Sequence, residues 1–427
     1  MSKETAQNAV KFSDLAEGII GSEIIKLAAE VNEKIKQGEE IYNMTIGDFN
    51  PVYFPIPAEL KQYIIEEYLS DQTNYPEADG MSRLRNSISQ LLKKRGNLTY
   101  QPNEILVAGG ARPIIYAIYR TLVNPNEKII FAVPSWNNNH YTYLNGAKPI
   151  VIEAKPENNF MPSAKDIAPF IQEASLIALC SPQNPTGTIF SKEGLIEICN
   201  LIISENKRRG DKLKPIYLMY DQIYWELTFG NAEHHSPVSL IPEMKDFTIY
   251  VDGISKSLSA TGVRVGWSMG PKPVIAKMKS ILSHIGAWAP KAEQLGTAKF
   301  LENETIYQNF IEEQKTKIYS RLQGFHNGFQ SLKQEGFSVD SINPQAAIYL
   351  TIKFALHGKT TKEGKILETT QDITSYLLDK AKLAIVPFYA FGTSENSPWY
   401  RMSVGTCQES DIQKIIENLR LALIELK

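Results

Sequence analysis

The stretch GISKSLSATGVRVG, residues 253 to 266, sets one amine nucleophile, Lys256, among glycine, serine and alanine, with an arginine, Arg264, further along. Small residues let the backbone approach something bulky. A lysine so placed can form an imine with an aldehyde, and the planar fork of an arginine binds phosphate oxygens in pairs. Together the two side chains suit one ligand that carries both an aldehyde and a phosphate.

Four further places offer matching chemistry. In IYLMYDQIY, Asp221 ends a β-like run and Tyr224 follows it closely. An aspartate in this place suits a helix N-cap. LIALCSPQNPTG puts Asn184 in a turn after another apolar run. VAGGARPIIY closes a strand with Gly109 and Gly110 and opens a helix near Pro113, so free N–H groups point where a phosphate would sit; an ordinary tight βα turn reads the same way. WYRMSVG carries Arg401 on a half-buried strand, where it needs an anion, either a bound carboxylate or a structural acid.

These motifs, in this order, resemble the class I/II pyridoxal-phosphate-dependent aminotransferases, the aspartate aminotransferase superfamily of fold type I. The lysine stretch matches their signature at Gly253, Ser255, Lys256, Ser259, Ala260, Gly262, Arg264 and Gly266, and the likeness runs from about Ser22 to Arg401. The resemblance implies pyridoxal 5'-phosphate as cofactor, bound to Lys256 as a Schiff base, with Lys256, Asp221 and Tyr224 as the catalytic residues. Asp221 would pair with the pyridine nitrogen, while Tyr224 and Asn184 would contact the phenolic oxygen. Gly110 and Ala111, backed by Arg264, would form the phosphate cup, and Ser255 joins the cofactor-binding set. Trp136, in VPSWNNNHY, falls where an aromatic ring stacks on the cofactor face. Tyr75, in NYPEADGMSRLR, would reach the phosphate of the neighbouring subunit, which makes a homodimer the active unit. Gly47, Trp136, Asn184 and Arg401 would bind the substrate, Arg401 gripping its α-carboxylate. A cis peptide between Asn184 and Pro185 is also implied. Two departures stand out: TIGDFNP lacks the Glu-Pro that usually separates the glycine from Asp-Phe, and AAIYLTI lacks the glycine-aromatic pair of relatives.

The reaction implied is transfer of an amino group from an L-amino acid to a 2-oxo acid, a ping-pong cycle through the lysine Schiff base. Cofactor-holding residues are shared across fold type I, so a β-lyase, a decarboxylase or a cyclopropane-forming elimination is the alternative. A pyridoxal-phosphate-binding regulator is another, although no helix-turn-helix or basic run accompanies the motifs. On the substrate side, Arg112 is the candidate for a distal carboxylate; Trp136, Trp225, Trp288 and Tyr349 could equally line a pocket for aromatic or neutral side chains.

Positioning such residues takes a particular scaffold. EILVAG, KIIFAV, PIVIEA, LIALCS, IYLMYD, TIYVDG and RVGWSMG read as seven strands fed by helix-like stretches such as RPIIYAIYRTLV and KEGLIEICNLIISENKRR. That alternation predicts an α/β fold with a mostly parallel seven-stranded sheet between helices, and such sheets bind ligands beyond the carboxyl ends of their strands. Residues 57–310 are expected to form this large cofactor-binding domain, and residues 1–56 together with 311–427 a smaller α+β domain. The ends supply a helix in SEIIKLAAEVNEKIKQG, strands in AAIYLTI, LAIVPF and YRMSVG, and a final helix with a capping box between Ser410 and Gln413. HGKTTKEGKILETTQD, within 357–372, reads as an exposed loop insertion.

Composition closes off other classes. The formal net charge is -2, from 45 basic and 47 acidic residues, which gives no field to recruit nucleic acid or an anionic membrane. The opening MSKETAQNAVKFSDL lacks the apolar core of a signal peptide, and no run approaches the roughly 20 apolar residues that cross a bilayer. A cytoplasmic protein acting on small molecules is expected. Cys180, Cys199 and Cys407 are scattered and odd in number, so neither a disulfide framework nor a metal site is expected.

Overall fold

The computed structural model describes residues 12–19, 21 and 23–427. The segment MSKETAQNAV, part of the opening read as lacking a signal peptide's apolar core, and Ser22, near which the resemblance was expected to begin, lie outside the described residues.

The β-branched and aromatic runs form a seven-stranded sheet: β1 (Ile105–Ala108), β2 (Lys128–Val133), β3 (Lys148–Glu153), β4 (Ala174–Cys180), β5 (Tyr217–Asp221), β6 (Thr248–Gly253) and β7 (Gly266–Met269). Their order is β1-β7-β6-β5-β4-β2-β3, with β7 antiparallel to both neighbours and every other pair parallel. This is the mostly parallel sheet expected. Side chains alternate across its pleat. Phe131, Ala178, Met219, Ile249 and Val251 pack toward helices Ala111–Leu122 and Lys272–His284. Ile130, Ile177, Leu218 and Tyr250 join the opposite core, with helices Ser82–Arg95, Lys192–Arg209 and Lys291–Glu302. Coverage of both faces explains why the interior strands are apolar throughout, whereas the edge strand β3 is largely exposed. Each fully buried Val, Leu, Ile, Phe or Met among these side chains contributes about 1.5–3 kcal/mol.

Six strands, β1 to β6, end on the same edge of this sheet. β7 starts there, with Gly266 paired to both Ala108 and Gly253. A Cβ on Gly266 would lie 2.6 Å from the Gly110 carbonyl carbon, so three backbones can meet at this edge because the residue is glycine.

A second sheet holds β8 (Val339–Ser341), β9 (Tyr349–Phe354), β10 (Val386–Pro387) and β11 (Trp399–Ser403), ordered β10-β11-β9-β8 and antiparallel throughout. Helices Thr370–Lys380 and Ile412–Ile424 pack on it. The long helix Glu304–Gln334 joins the two cores: Tyr307 and Ile311 pack with the first sheet, Ile318 through Leu332 with the second.

Three local expectations are corrected. LAIVPF is not one strand. Leu383–Ala384 pairs in parallel with Tyr42–Asn43, whereas Val386–Pro387 pairs with β11, and Pro387 has no N–H with which to extend a ladder. Ser410 and Gln413 do not form a capping box, because residues 409–411 close into a 3-10 turn, Ser410 Oγ bonds Gln408 Oε1 at 3.4 Å, and the helix begins at Ile412 behind Asp411. The 357–372 segment is a largely exposed loop only to its Thr369 boundary. There Thr369 and Asp372 form a capping box that starts the helix Thr370–Lys380.

Candidate active site

Lys256 lies in the short helix Ile254–Ser257 immediately after β6. It enters a cavity of about 690 Å³ at the carboxyl edge of the first sheet, which it lines together with Ser255. Its Nζ donates a hydrogen bond to the Gly47 carbonyl at 2.7 Å. Burial pushes the amine down to about 8; Asp48 opposes this, and Arg401, Arg112 and Arg264 add to it. The neutral, nucleophilic form is therefore far more available than in a solvated lysine.

Asp221, at the end of β5 and paired in register with Cys180, lines the same cavity. Its Oδ1 accepts from Ile223 N at 3.0 Å. Burial raises the carboxyl to about 6, against the pull of that hydrogen bond and of the Lys256 charge. A cation bound beside it would restore the carboxylate.

Arg401, on β11, is 2% exposed. It donates through Nη1 to Asn184 Oδ1 at 3.0 Å and through Nη2 to the Thr45 carbonyl, both neutral partners. Among the described residues Nε has no partner. The rings of Tyr349 and Phe391 both pack against the guanidinium, their centroids 4.8 and 4.9 Å from Cζ. A buried cation with neutral partners and an orphaned N–H is built for an anion that arrives from outside. The Asn184–Pro185 peptide is cis.

Gly110 caps the helix Ala111–Leu122 with φ 97° and ψ 179°, a conformation open to glycine. A Cβ here would overlap the Arg264 guanidinium. Arg264, itself at φ 61°, folds back so that Nη1 donates to the Thr261 carbonyl at 2.6 Å and Nη2 to the Gly109 carbonyl at 2.9 Å. The unpaired N–H groups of a helix start and a guanidinium thus converge as an anion cradle. Trp136 lines the cavity with Arg112, whose Cζ lies 5.5 Å from its ring centroid.

Lys256, Asp221, Tyr224, Asn184, Ser255, Arg264, Ala111, Trp136, Gly47 and Arg401 thus share one cavity wall, with Gly110 at its edge. Tyr75 does not join them. It is 82% exposed and packs edge-on against Trp288, centroids 5.3 Å apart. The four-aromatic wall considered for neutral substrates reduces to Trp136 and Tyr349. Trp225 follows the inward-facing Tyr224 and so points away, toward His234, and Trp288 belongs with Tyr75. Two polar contacts had no reading in the sequence: Thr261 Oγ1 donates to Asp48 Oδ1 at 2.8 Å, and the hydroxyls of Tyr224 and Tyr349 lie 2.7 Å apart. The proximity of Asp48 to Gly47 was the available signal for the first.

Comparison with known proteins identifies the family. The family model for aminotransferase class I and II matches residues 41–419. The chain belongs to that family and is a transaminase. It is 28% identical to an aspartate aminotransferase of Bacillus sp. (strain YM-2) over 91% of this chain and 93% of the relative, and 26% identical to that of Bacillus subtilis (strain 168) over 96% and 98%. Among solved structures, the aspartate aminotransferase from Rhizobium meliloti superposes with a TM-score of 0.89 at 24% identity, covering 98% of this chain and all of that one. An alanine aminotransferase from Pyrococcus furiosus superposes at 0.84 with 21% identity, covering 97% of this chain and all of that one. At those identities the structural likeness carries the fold alone.

Proposed function

We propose that this transaminase works with pyridoxal 5'-phosphate in the cavity around Lys256, moving an amino group from an L-amino acid to a 2-oxo acid in a ping-pong cycle. The cradle at Gly110, an orphaned N–H on Arg401 and a carboxylate at Asp221 fit that cofactor and its amino acid substrate. Gly110 and Ala111, backed by Arg264, would hold its phosphate, Asp221 its ring nitrogen, Tyr224 and Asn184 its phenolic oxygen, and Trp136 its face, with Ser255 also lining the cofactor's cavity. When bound through a lysine Schiff base, the cofactor supplies an electron sink for the bond that breaks at the substrate's Cα.

The chain's own residues do the rest. Arg401 grips the substrate α-carboxylate in the gap beside Asn184 and fixes which bond at Cα faces the ring. Lys256, neutral above about pH 8, takes the proton from Cα on Nζ. Asp221 stays ionised against the cationic ring nitrogen. Gly47 marks the substrate side of the cavity, its carbonyl holding the lysine amine. One observation carries this reading: a lysine amine lowered by burial, a carboxylate and an anion-seeking arginine line a single cavity.

Residues 57–310 act in this reading as the large cofactor-binding domain and 1–56 with 311–427 as the small one, Arg401 reaching the site from the latter. The active unit is a homodimer with Tyr75 serving the partner's site; its exposure, with the nearby exposed Ile65 and Leu69, supports this. The three free cysteines suit a reducing, cytoplasmic setting. Relatives named for aspartate support an acidic donor, with Arg112 on the distal carboxylate. Donor assays with aspartate, glutamate, alanine and phenylalanine against 2-oxoglutarate, pyruvate and oxaloacetate test it. Arg112→Ala should cost acidic donors about 10-fold or more in kcat/KM and spare alanine; equal losses for all donors would refute the assignment.

A further inference from the structure

Tyr349, the first residue of β9, is 1% exposed, and its Oη lies 2.7 Å from Tyr224 Oη. Its hydroxyl also fills the space a side chain at residue 47 would need, 2.7 Å from where a Cβ on Gly47 would stand. The two places where the sequence departs from its relatives, IGDFNP and AAIYLTI, therefore meet at this phenol. Its ring is held against Arg401 and its edge against Tyr224, centroids 5.6 Å apart.

A phenol has one proton to give. If Tyr224 spends its proton on the cofactor's phenolic oxygen, the bond between the two hydroxyls must be donated by Tyr349. A hydroxyl whose oxygen accepts such a bond becomes a stronger donor itself. We infer that Tyr349 is a positioning residue for the reaction proposed above, donating to Tyr224 and so strengthening Tyr224's hydrogen bond to the phenolic oxygen of the cofactor. The inference rests on the proposed placement of the cofactor.

The charged and titratable groups facing this pair are Lys256, whose Nζ lies 6.0 Å from the Tyr224 ring centroid, together with Arg401, Cys180 and Asp48. All of them stay in place when Tyr349 becomes phenylalanine, which keeps the ring against Arg401 and removes the hydroxyl alone. Loss of a proton from the lysine-bound cofactor leaves more negative charge on its phenolic oxygen. A stronger donor there lowers the pH at which the visible absorbance changes, and a weaker one raises it.

The test is a spectrophotometric pH titration of holoenzyme for wild type, Tyr349→Phe, Tyr224→Phe and the double variant. Tyr224→Phe should raise the midpoint by about one unit or more, Tyr349→Phe by roughly half a unit, and the double variant no further than Tyr224→Phe alone. A Tyr349→Phe midpoint equal to wild type, or the same increment in the Tyr224→Phe background, overturns the relay while leaving the cofactor placement standing. A midpoint indifferent to Tyr224→Phe overturns that placement and the relay with it.

Discussion

Gly47 and Lys256 meet across the cavity: the carbonyl of the first accepts the ε-amine of the second at 2.7 Å. The contact joins the N-terminal part of the chain to the end of β6, and it holds the amine where burial favours its neutral form. In cofactor-free protein, acylation of Lys256 followed by peptide mass mapping should show a midpoint near the lowered value of about 8, not the ordinary 10.5. Reactivity should be high above that pH and fall below it as the ammonium form takes over. A midpoint near 10 would mean that the amine is solvated.

Arg401 is expected to act on binding and on stability at once. Arg401→Lys replaces a planar fork by a point charge and should raise KM for the amino donor about 10-fold or more. It should also lower unfolding free energy by about 1–3 kcal/mol, because Asn184 Oδ1 and the Thr45 carbonyl lose well-placed donors. Steady-state kinetics and urea melts read the two effects separately. An unchanged KM would remove Arg401 from the substrate site.

Tyr75 is exposed on its own chain, so its proposed role is in the partner's site. Lys256→Ala and Tyr75→Ala homodimers should each be impaired. When the two are co-refolded, a hybrid carries one site with both native residues, and about half of wild-type activity per hybrid should return. Mixtures that never exceed the sum of the separate variants would place Tyr75 outside the catalytic unit.

What was legible in the sequence was whatever is carried by short-range pattern. The apolar runs from Ile105 to Met269 showed the sheet because a strand covered on both faces must be apolar on both. Gly110 and Asn184 were visible because turns at strand ends restrict residue type. Long-range meetings left no such trace. Nothing near Tyr349 states that its hydroxyl will reach Tyr224, and Thr45 serves Arg401 through a carbonyl that any residue would supply. Trp225 and Trp288 were placed in the pocket by type alone, whereas direction along a turn sends Trp225 to the other side of Tyr224. Helix boundaries failed at Ser410 for a local reason, since a 3-10 turn took up the residues that would have capped the helix.

The most direct measurement is chemical. Holoenzyme treated with borohydride, which fixes a lysine imine as a stable amine, is digested and mapped by mass. The expected result is a single peptide carrying the phosphopyridoxyl group on Lys256, with the visible absorbance lost in step and no label in Lys256→Ala. Label on another lysine, or an unlabelled residue 256 in protein that turns over an amino donor, would contradict the assignment.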